Sequence, residues 1–305
     1  MHCFSVFAAM LLLAAALTPS VAIRAEYRQT DDSDSTSRQP STINWYTHSF
    51  PPAFIGSGPF EGQGYQDEIL SYFENRLTGF TIKRHQTALA RVIASVRYGT
   101  AACAGALGRT PERERFMIFS RPILTSLPIR LVVGESDMAR IDPYLDERGQ
   151  ISLATLARID GMQGSAVKDR TYGAVLDPFV RRARERGLLH TAARPELAFL
   201  MLARGRVSYT FAYPDEVGYF MRLHAGKDQM NSLVTLPIAE EAGLVTSYIG
   251  CSNDSAGRAV IKAVDDILTA HGYEKTPPWQ VPYLRWIDAA ARSDLSRFMT
   301  ISGKN

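Results

Sequence analysis

Three cysteines in 305 residues are few, and one of them, Cys3, lies at the very start of the chain. The other two, Cys103 and Cys251, allow at most one bridge between them. Charge is scarce in net terms. Lys and Arg exceed Asp and Glu by only +3, too little to argue for a nucleic-acid partner. The basic run Arg181, Arg182, Arg184 and Arg186 has Glu185 interleaved and reads as a solvated helix face. No two of His48, His85, His190, His224 and His271 stand at metal-ligand spacing, and no GxSxG elbow or phosphate-binding loop occurs. Gly62-Gln63-Gly64 lacks the further glycine of a dinucleotide site and reads as a surface turn. Neither a metal nor a cofactor is expected.

Charge is also missing from the first 22 residues, which contain no Asp, Glu, Lys or Arg. The apolar run Phe4 to Leu17 falls short of the ~20 residues of a spanning helix. Pro19 and the small residues Ser20 and Ala22 follow it. This pattern predicts a secretory signal peptide over 1–22, with an uncleaved N-terminal anchor as the other reading. Residues 23–41, with their Asp/Ser/Thr run, predict a flexible linker.

The rest is an ordinary globular composition, 46% hydrophobic and 21% charged, long enough for two lobes or one large domain. Ile43 to Tyr46 reads as a strand, and Tyr65, Ile69, Tyr72, Phe73 and Leu77 stand at helical spacing. Thr81 to His85 is a second strand candidate. Leu89, Val92, Ile93 and Val96 mark another helix closed by Gly99, and Ala101 to Leu107 reads as a buried strand. The β-α-β-α-β order predicts an α/β layer with a parallel sheet. After Pro122 the pattern restarts with strands at Ile129 to Val133, Gly164 to Lys168 and Val207 to Phe211. A helix is expected over Tyr172 to Arg186, bent or restarted by Pro178. Thr246 to Gly250 is a further strand, and Gly257 to Leu268 is amphipathic. Cys103 and Cys251 fall in two apolar strand-like segments. They form a bridge if those strands are neighbours and two buried thiols if they are not.

The chemistry-bearing stretch is Thr110-Pro111-Glu112-Arg113, running on to Phe119-Ser120 and Pro122. An Arg just past a strand end, at the opening of a helix, can hold a carboxylate through two parallel hydrogen bonds. The competing reading is a solvated surface turn, with Glu112, Arg113, Glu114 and Arg115 facing water.

Taken in order, several motifs resemble family 3 of the bacterial extracellular solute-binding proteins. They are Phe50-Pro51-Pro52-Ala53-Phe54, Gly64-Tyr65-Gln66-Asp67-Glu68-Ile69, the Thr-Pro-Glu-Arg stretch, Ala166-Val167-Lys168 with Thr171-Tyr172, and the aromatic tail at Trp286. The resemblance implies an α/β, two-lobed type II periplasmic-binding-protein-like fold, its lobes joined by two crossing strands near Leu124–Pro128 and Ala242–Thr246. Lobe 1 would comprise 42–125 plus 245–300, and lobe 2 would comprise 126–244. Cys103 and Cys251 would then lie side by side, which favours the bridge.

By the same resemblance Phe50 stacks on the ligand and Arg113 clamps its carboxylate. Lys168 is a cleft cation, and Thr171 and Tyr172 form the anion-facing turn. Beyond the resemblance, Phe50, Tyr46, Tyr172 and Tyr213 are expected to pack the ligand's body. Two departures stand out. Gly108 replaces a hydroxyl residue, and Tyr213 stands where an acid pairs with the ligand's ammonium group. They point away from an α-amino acid and towards an anionic, carboxylate-bearing solute held by Arg113 and Lys168. The implied protein is a monomeric periplasmic binder, not an enzyme, serving an ABC permease or a membrane receptor. The alternatives are a dehydratase-like enzyme, with Glu61, His48 or Asp215 as general acid, and an interaction module with a degenerate cleft.

Overall fold

The computed structural model describes residues 41–226, 232–241, 243–271 and 276–302. The expected signal peptide, and all of the expected linker except Ser41, lie outside them.

The first half-lobe runs β1 (Ser41–Thr47), α1 (Tyr65–Glu74), β2 (Phe80–Gln86), α2 (Leu89–Tyr98), β3 (Ala102–Leu107), the single turn α3 (Pro111–Glu114), β4 (Met117–Phe119) and β5 (Leu124–Ser126). The chain then builds β6 (Arg130–Gly134), two short turns α4 (Met138–Ile141) and α5 (Leu153–Leu156), β7 (Gly164–Val167), α6 (Leu176–Glu185), β8 (Leu189–Ala192), α7 (Pro195–Ala203), β9 (Tyr209–Ala212), α8 (Pro214–Leu223) and β10 (Leu233–Leu236). It returns through β11 (Val245–Ser252), α9 (Ser255–His271), α10 (Val281–Leu284) and α11 (Ala289–Ser302).

Two sheets result. The first has the order β2-β1-β3-β11-β4, with β5 also on β11; the second has the order β10-β6-β9-β7-β8. β1 pairs in parallel with both β2 and β3, as the β-α-β-α-β reading requires. β11 enters that sheet antiparallel to β3 and β4. The last strand of the chain is therefore the neighbour of the third. Cys103 faces Cys251 across this pair with Cα atoms 4.0 Å apart, and the two are disulfide-bonded. The connections between the sheets lie side by side: β5 pairs with the start of β11, Thr125 opposite Thr246.

Local sequence explains the main elements. In α1, Tyr65, Ile69 and Phe73 recur every fourth residue and are all buried, while Asn75 and Arg76 at its end are exposed. Asp67 accepts hydrogen bonds from the backbone N–H groups of Gly64 and Ile55, each at 3.1 Å, which starts the helix and pins the preceding loop to it. α6 begins later than the spacing predicts, at Leu176, because Gly173 takes a left-handed φ of +96° and breaks the run from Tyr172. Pro178 consequently falls in the first helical turn, where no backbone donor is required, and neither bends nor restarts the helix.

Each sheet has its own apolar core. Trp45, Phe73, Leu127 and Val260 belong to the first, and Leu131, Phe179 and Phe211 to the second. Fully burying such a side chain contributes roughly 1.5–3 kcal/mol. The C-terminal segment bridges the two. Trp286 and Leu295 pack into the first core, while Asp294 of α11 forms a 2.8 Å ion pair with Arg130, a fully buried strand residue of the second sheet. Against the same segment, α8 carries Gly218, where any side chain would overlap the Trp286 carbonyl. Phe60, Tyr219 and Trp286 stack around that contact.

Candidate functional site

Two cavities open between the lobes, of about 430 Å³ and about 630 Å³, and both are lined by Phe50 and Tyr213. The smaller one is bounded by His48, Gln66, Gly108 and Arg113 of the first lobe, Ser126 and Thr246 of the paired connections, and Asp215 of the second lobe. The larger runs along Arg170, Thr171, Phe199, Glu216 and Phe220.

The first lobe's wall follows from one capping interaction. Thr110 precedes α3 in extended conformation, and its hydroxyl accepts from the Arg113 backbone N–H at 3.3 Å, with Pro111 in the first turn. This places Arg113 beside the end of β3. Its guanidinium donates to the Gly108 carbonyl at 2.7 Å, and Arg113 forms no ion pair among the described residues. Beside it, the His48 imidazole is pushed below its ordinary range by burial and by the Arg113 charge, so it stays neutral near pH 7. The Phe50 ring stacks on His48 with centroids 6.1 Å apart. Gly108 leaves open space: a Cβ there would lie 3.9 Å from the Arg113 guanidinium.

The second lobe's wall is built by the turn after β7 and by the start of α8. Asp169 adopts a left-handed φ of 55° and reverses the chain. Arg170 then meets Glu216 in a two-pronged pair at 2.8 and 2.7 Å. The Tyr172 and Tyr213 rings flank its guanidinium at 5.2 and 5.8 Å. Burial alone pulls the Arg170 pKa down, but the Glu216 charge outweighs it and the net displacement is upward. Glu216 also accepts from the Tyr213 backbone N–H at 3.0 Å, capping α8. One residue earlier, Asp215 is only 2% exposed, and one of its carboxylate oxygens has no hydrogen-bond partner. Burial, reinforced by the Glu216 charge, raises its pKa to about 7, with a hydrogen bond from Tyr65 opposing the rise.

Of the residues picked out in the sequence, Phe50, Arg113, Thr171 and Tyr213 line the inter-lobe cavities. Four lie elsewhere. Lys168 is exposed at the end of β7 and lines neither cavity, because the turn at Asp169 carries Arg170 inward in its place. Tyr172 is a core residue of the second lobe; its hydroxyl accepts from the Val167 backbone N–H at 2.7 Å. Tyr46 stacks on His85 at 5.1 Å and packs against the cluster around α2. Glu61 is exposed and also outside both linings.

Tyr213 stands where the resemblance has an acid, and an acid lies two residues further on. Asp215 stands in the Arg113 cavity because α8 turns its first residues towards the first lobe. Pro214 followed by Asp and Glu is a helix-start pattern, and it was the available signal for α8. Among the described residues no cluster of His, Cys, Asp and Glu could hold a metal ion, and no helix is long and apolar enough to cross a membrane.

No family model matches the chain. Over 152 residues it is 30% identical to the virulence sensor protein BvgS of Bordetella pertussis, a match covering 50% of this chain and 11% of that protein. The aligned stretch is thus about a tenth of the relative's length. Among solved structures, substrate-binding domain 2 of Lactococcus lactis GlnP, in an open conformation, superposes with a TM-score of 0.55 at 16% identity, covering 82% of this chain and 97% of that one. A histidine kinase sensor domain with similarity to periplasmic binding proteins gives 0.53 at 14% identity, covering 82% and 96%. The chain therefore has the two-lobed, type II periplasmic-binding-protein-like α/β fold.

Proposed function

We propose that the chain is a divergent member of solute-binding protein family 3, exported to the periplasm. In this reading it captures a small carboxylate-bearing solute between its lobes and offers the resulting state to a membrane partner, an ABC permease or a sensor receptor. The observation that carries the reading is Arg113: a half-buried guanidinium in no ion pair, with only the charge of the adjacent Glu112 acting on it, its backbone held by the Thr110 cap at the wall of an inter-lobe cavity. A ligand carboxylate would satisfy it through two parallel hydrogen bonds. Phe50 and Tyr213 would cover the ligand's body, and Thr171 would meet it from the second lobe. Contacts from both lobes would make closure depend on the ligand.

Isothermal titration of the purified protein with a panel of small carboxylates, repeated on Arg113→Gln, tests this. The expected loss on substitution is about 10–100-fold, the range for a hydrogen bond to a charged group. Carboxylate binding that survives the substitution unchanged would overturn the assignment.

One observation favours a second reading, an enzyme on the same scaffold. Asp215, with its pKa raised to about 7, has the proton affinity that a general acid needs at neutral pH. Turnover of a prephenate-like substrate, lost in Asp215→Asn, is its test.

A further inference from the structure

The second lobe already holds a carboxylate of its own. Glu216 engages both prongs of Arg170, at 2.8 and 2.7 Å, on the wall of the larger cavity. The pair is buried, with side-chain exposures of 13% for Arg170 and 5% for Glu216. Neither partner is free to turn away. Arg170 lies between the Tyr172 and Tyr213 rings. Glu216 is bound to the Tyr213 backbone N–H, so moving it would also uncap α8. The other cation on this wall, Arg194, has Glu196 beside it at 3.5 Å. On the opposite wall, Arg113 forms no ion pair among the described residues, and only the charge of the adjacent Glu112 acts on it.

We infer that Glu216 is an internal counter-ion that restricts the cleft to solutes carrying a single anionic group. The inference rests on the reading of Arg113 as a carboxylate clamp and adds the class of solute. A first carboxylate neutralises Arg113. A second, reaching towards the other lobe, meets Asp215 and Glu216 and finds no unpaired cation. To take Arg170 it would have to displace Glu216, leaving that carboxylate buried without a partner. The rest of the larger cavity, with Phe199, Tyr219, Phe220 and Leu223, suits an uncharged apolar body.

The test compares pentanoate with glutarate, two probes that differ by one carboxylate, and adds inorganic sulfate as a probe of Arg170 alone. Calorimetric titration is run on the unmodified protein, on Glu216→Gln and on the double variant Arg170→Gln/Glu216→Gln. The unmodified protein is expected to bind pentanoate at least tenfold more tightly than glutarate. Glu216→Gln should move that ratio at least tenfold towards glutarate, and the double variant should abolish the gain. Sulfate should bind Glu216→Gln and not the double variant. A pentanoate-to-glutarate ratio within twofold of the unmodified value in Glu216→Gln, or no sulfate binding there, overturns the counter-ion role.

If sulfate binds Glu216→Gln while no carboxylate binds the unmodified protein, the pairing of Arg170 stands and the Arg113 clamp falls. The two ideas therefore fail separately. Should Glu216→Gln not fold, Glu216→Asp withdraws the carboxylate by one methylene and is held to the same criteria.

Discussion

Asp215, in the first turn of a second-lobe helix, is electrostatically coupled to the hydroxyl of Tyr65, which opens a first-lobe helix. Both groups are buried, and both line the smaller inter-lobe cavity. A carboxyl group in that position is more easily kept protonated than ionised.

This has a pH signature. The folded-state pKa of Asp215 is about 7, against 3.8 in the unfolded chain, so the folded form binds the extra proton between those values. The contribution of Asp215 to stability is fully present below pH ~4 and declines as pH rises through ~7. Asp215→Asn, which cannot ionise, should therefore be more stable than the parent at pH 8, on the order of a few kcal/mol. The advantage should shrink towards pH 4. Urea unfolding of both proteins across this range measures it, and a pH-independent difference would refute the burial argument.

Gly108→Ser should be tolerated and should improve carboxylate binding. The position has room for a Cβ, with the Arg113 guanidinium the nearest group at 3.9 Å. A hydroxyl added there offers a further donor on the clamp's side of the cavity. One hydrogen bond of about 0.5–1.5 kcal/mol corresponds to a gain of roughly two- to tenfold. Titration with pentanoate checks the affinity, and a thermal melt checks the fold.

Reduction should loosen the first lobe. The Cys103–Cys251 bridge closes a loop with a sequence separation of 148, ties the third strand to the last, and restricts the unfolded chain accordingly. Its removal by paired Cys→Ser substitution is expected to lower stability by about 3–5 kcal/mol. Denaturant midpoints of oxidised, reduced and doubly substituted protein should agree for the last two.

Asp294→Ala should destabilise more than its position near the chain end would lead one to expect. It removes the partner of Arg130, whose side chain is 2% exposed and whose Nε already has no hydrogen bond. Leaving such a charge unpaired costs about 3–5 kcal/mol. Replacing both residues, as Arg130→Met with Asp294→Leu, should recover most of the loss, which a double-mutant cycle would quantify.

The first lobe was largely legible in the sequence because its signals are local. The buried stripe Ile69 and Phe73, the stop at Gly99 and the small, fully buried residues of β3 each mark an element without reference to distant contacts. Thr110 with Pro111 likewise announces the turn that sets Arg113.

The second lobe's wall was less legible for a definite reason. Lys168 and Arg170 differ by two positions, and only the left-handed turn at Asp169 decides which of them faces inward. Asp169-Arg170-Thr171 reads as a turn, but the turn alone does not say which of the two cations points inward. α8 was hidden because two of its buried residues, Asp215 and Glu216, are acids, and buried acids do not register as an apolar stripe. Their burial depends on partners far away in the chain, Tyr65 and Arg170.

The seam between Gly218 and the Trp286 carbonyl has a mechanical consequence. A backbone surface with no side chain between it and its neighbour makes a short-range adhesive joint, strong when shut and lost after a small separation. Any gaping motion of the jaws about their twin connecting strands must either peel this joint apart or carry the terminal segment along with the second lobe. Resistance to opening would then be set partly at this joint, whose Tyr219 ring also lines the larger cavity.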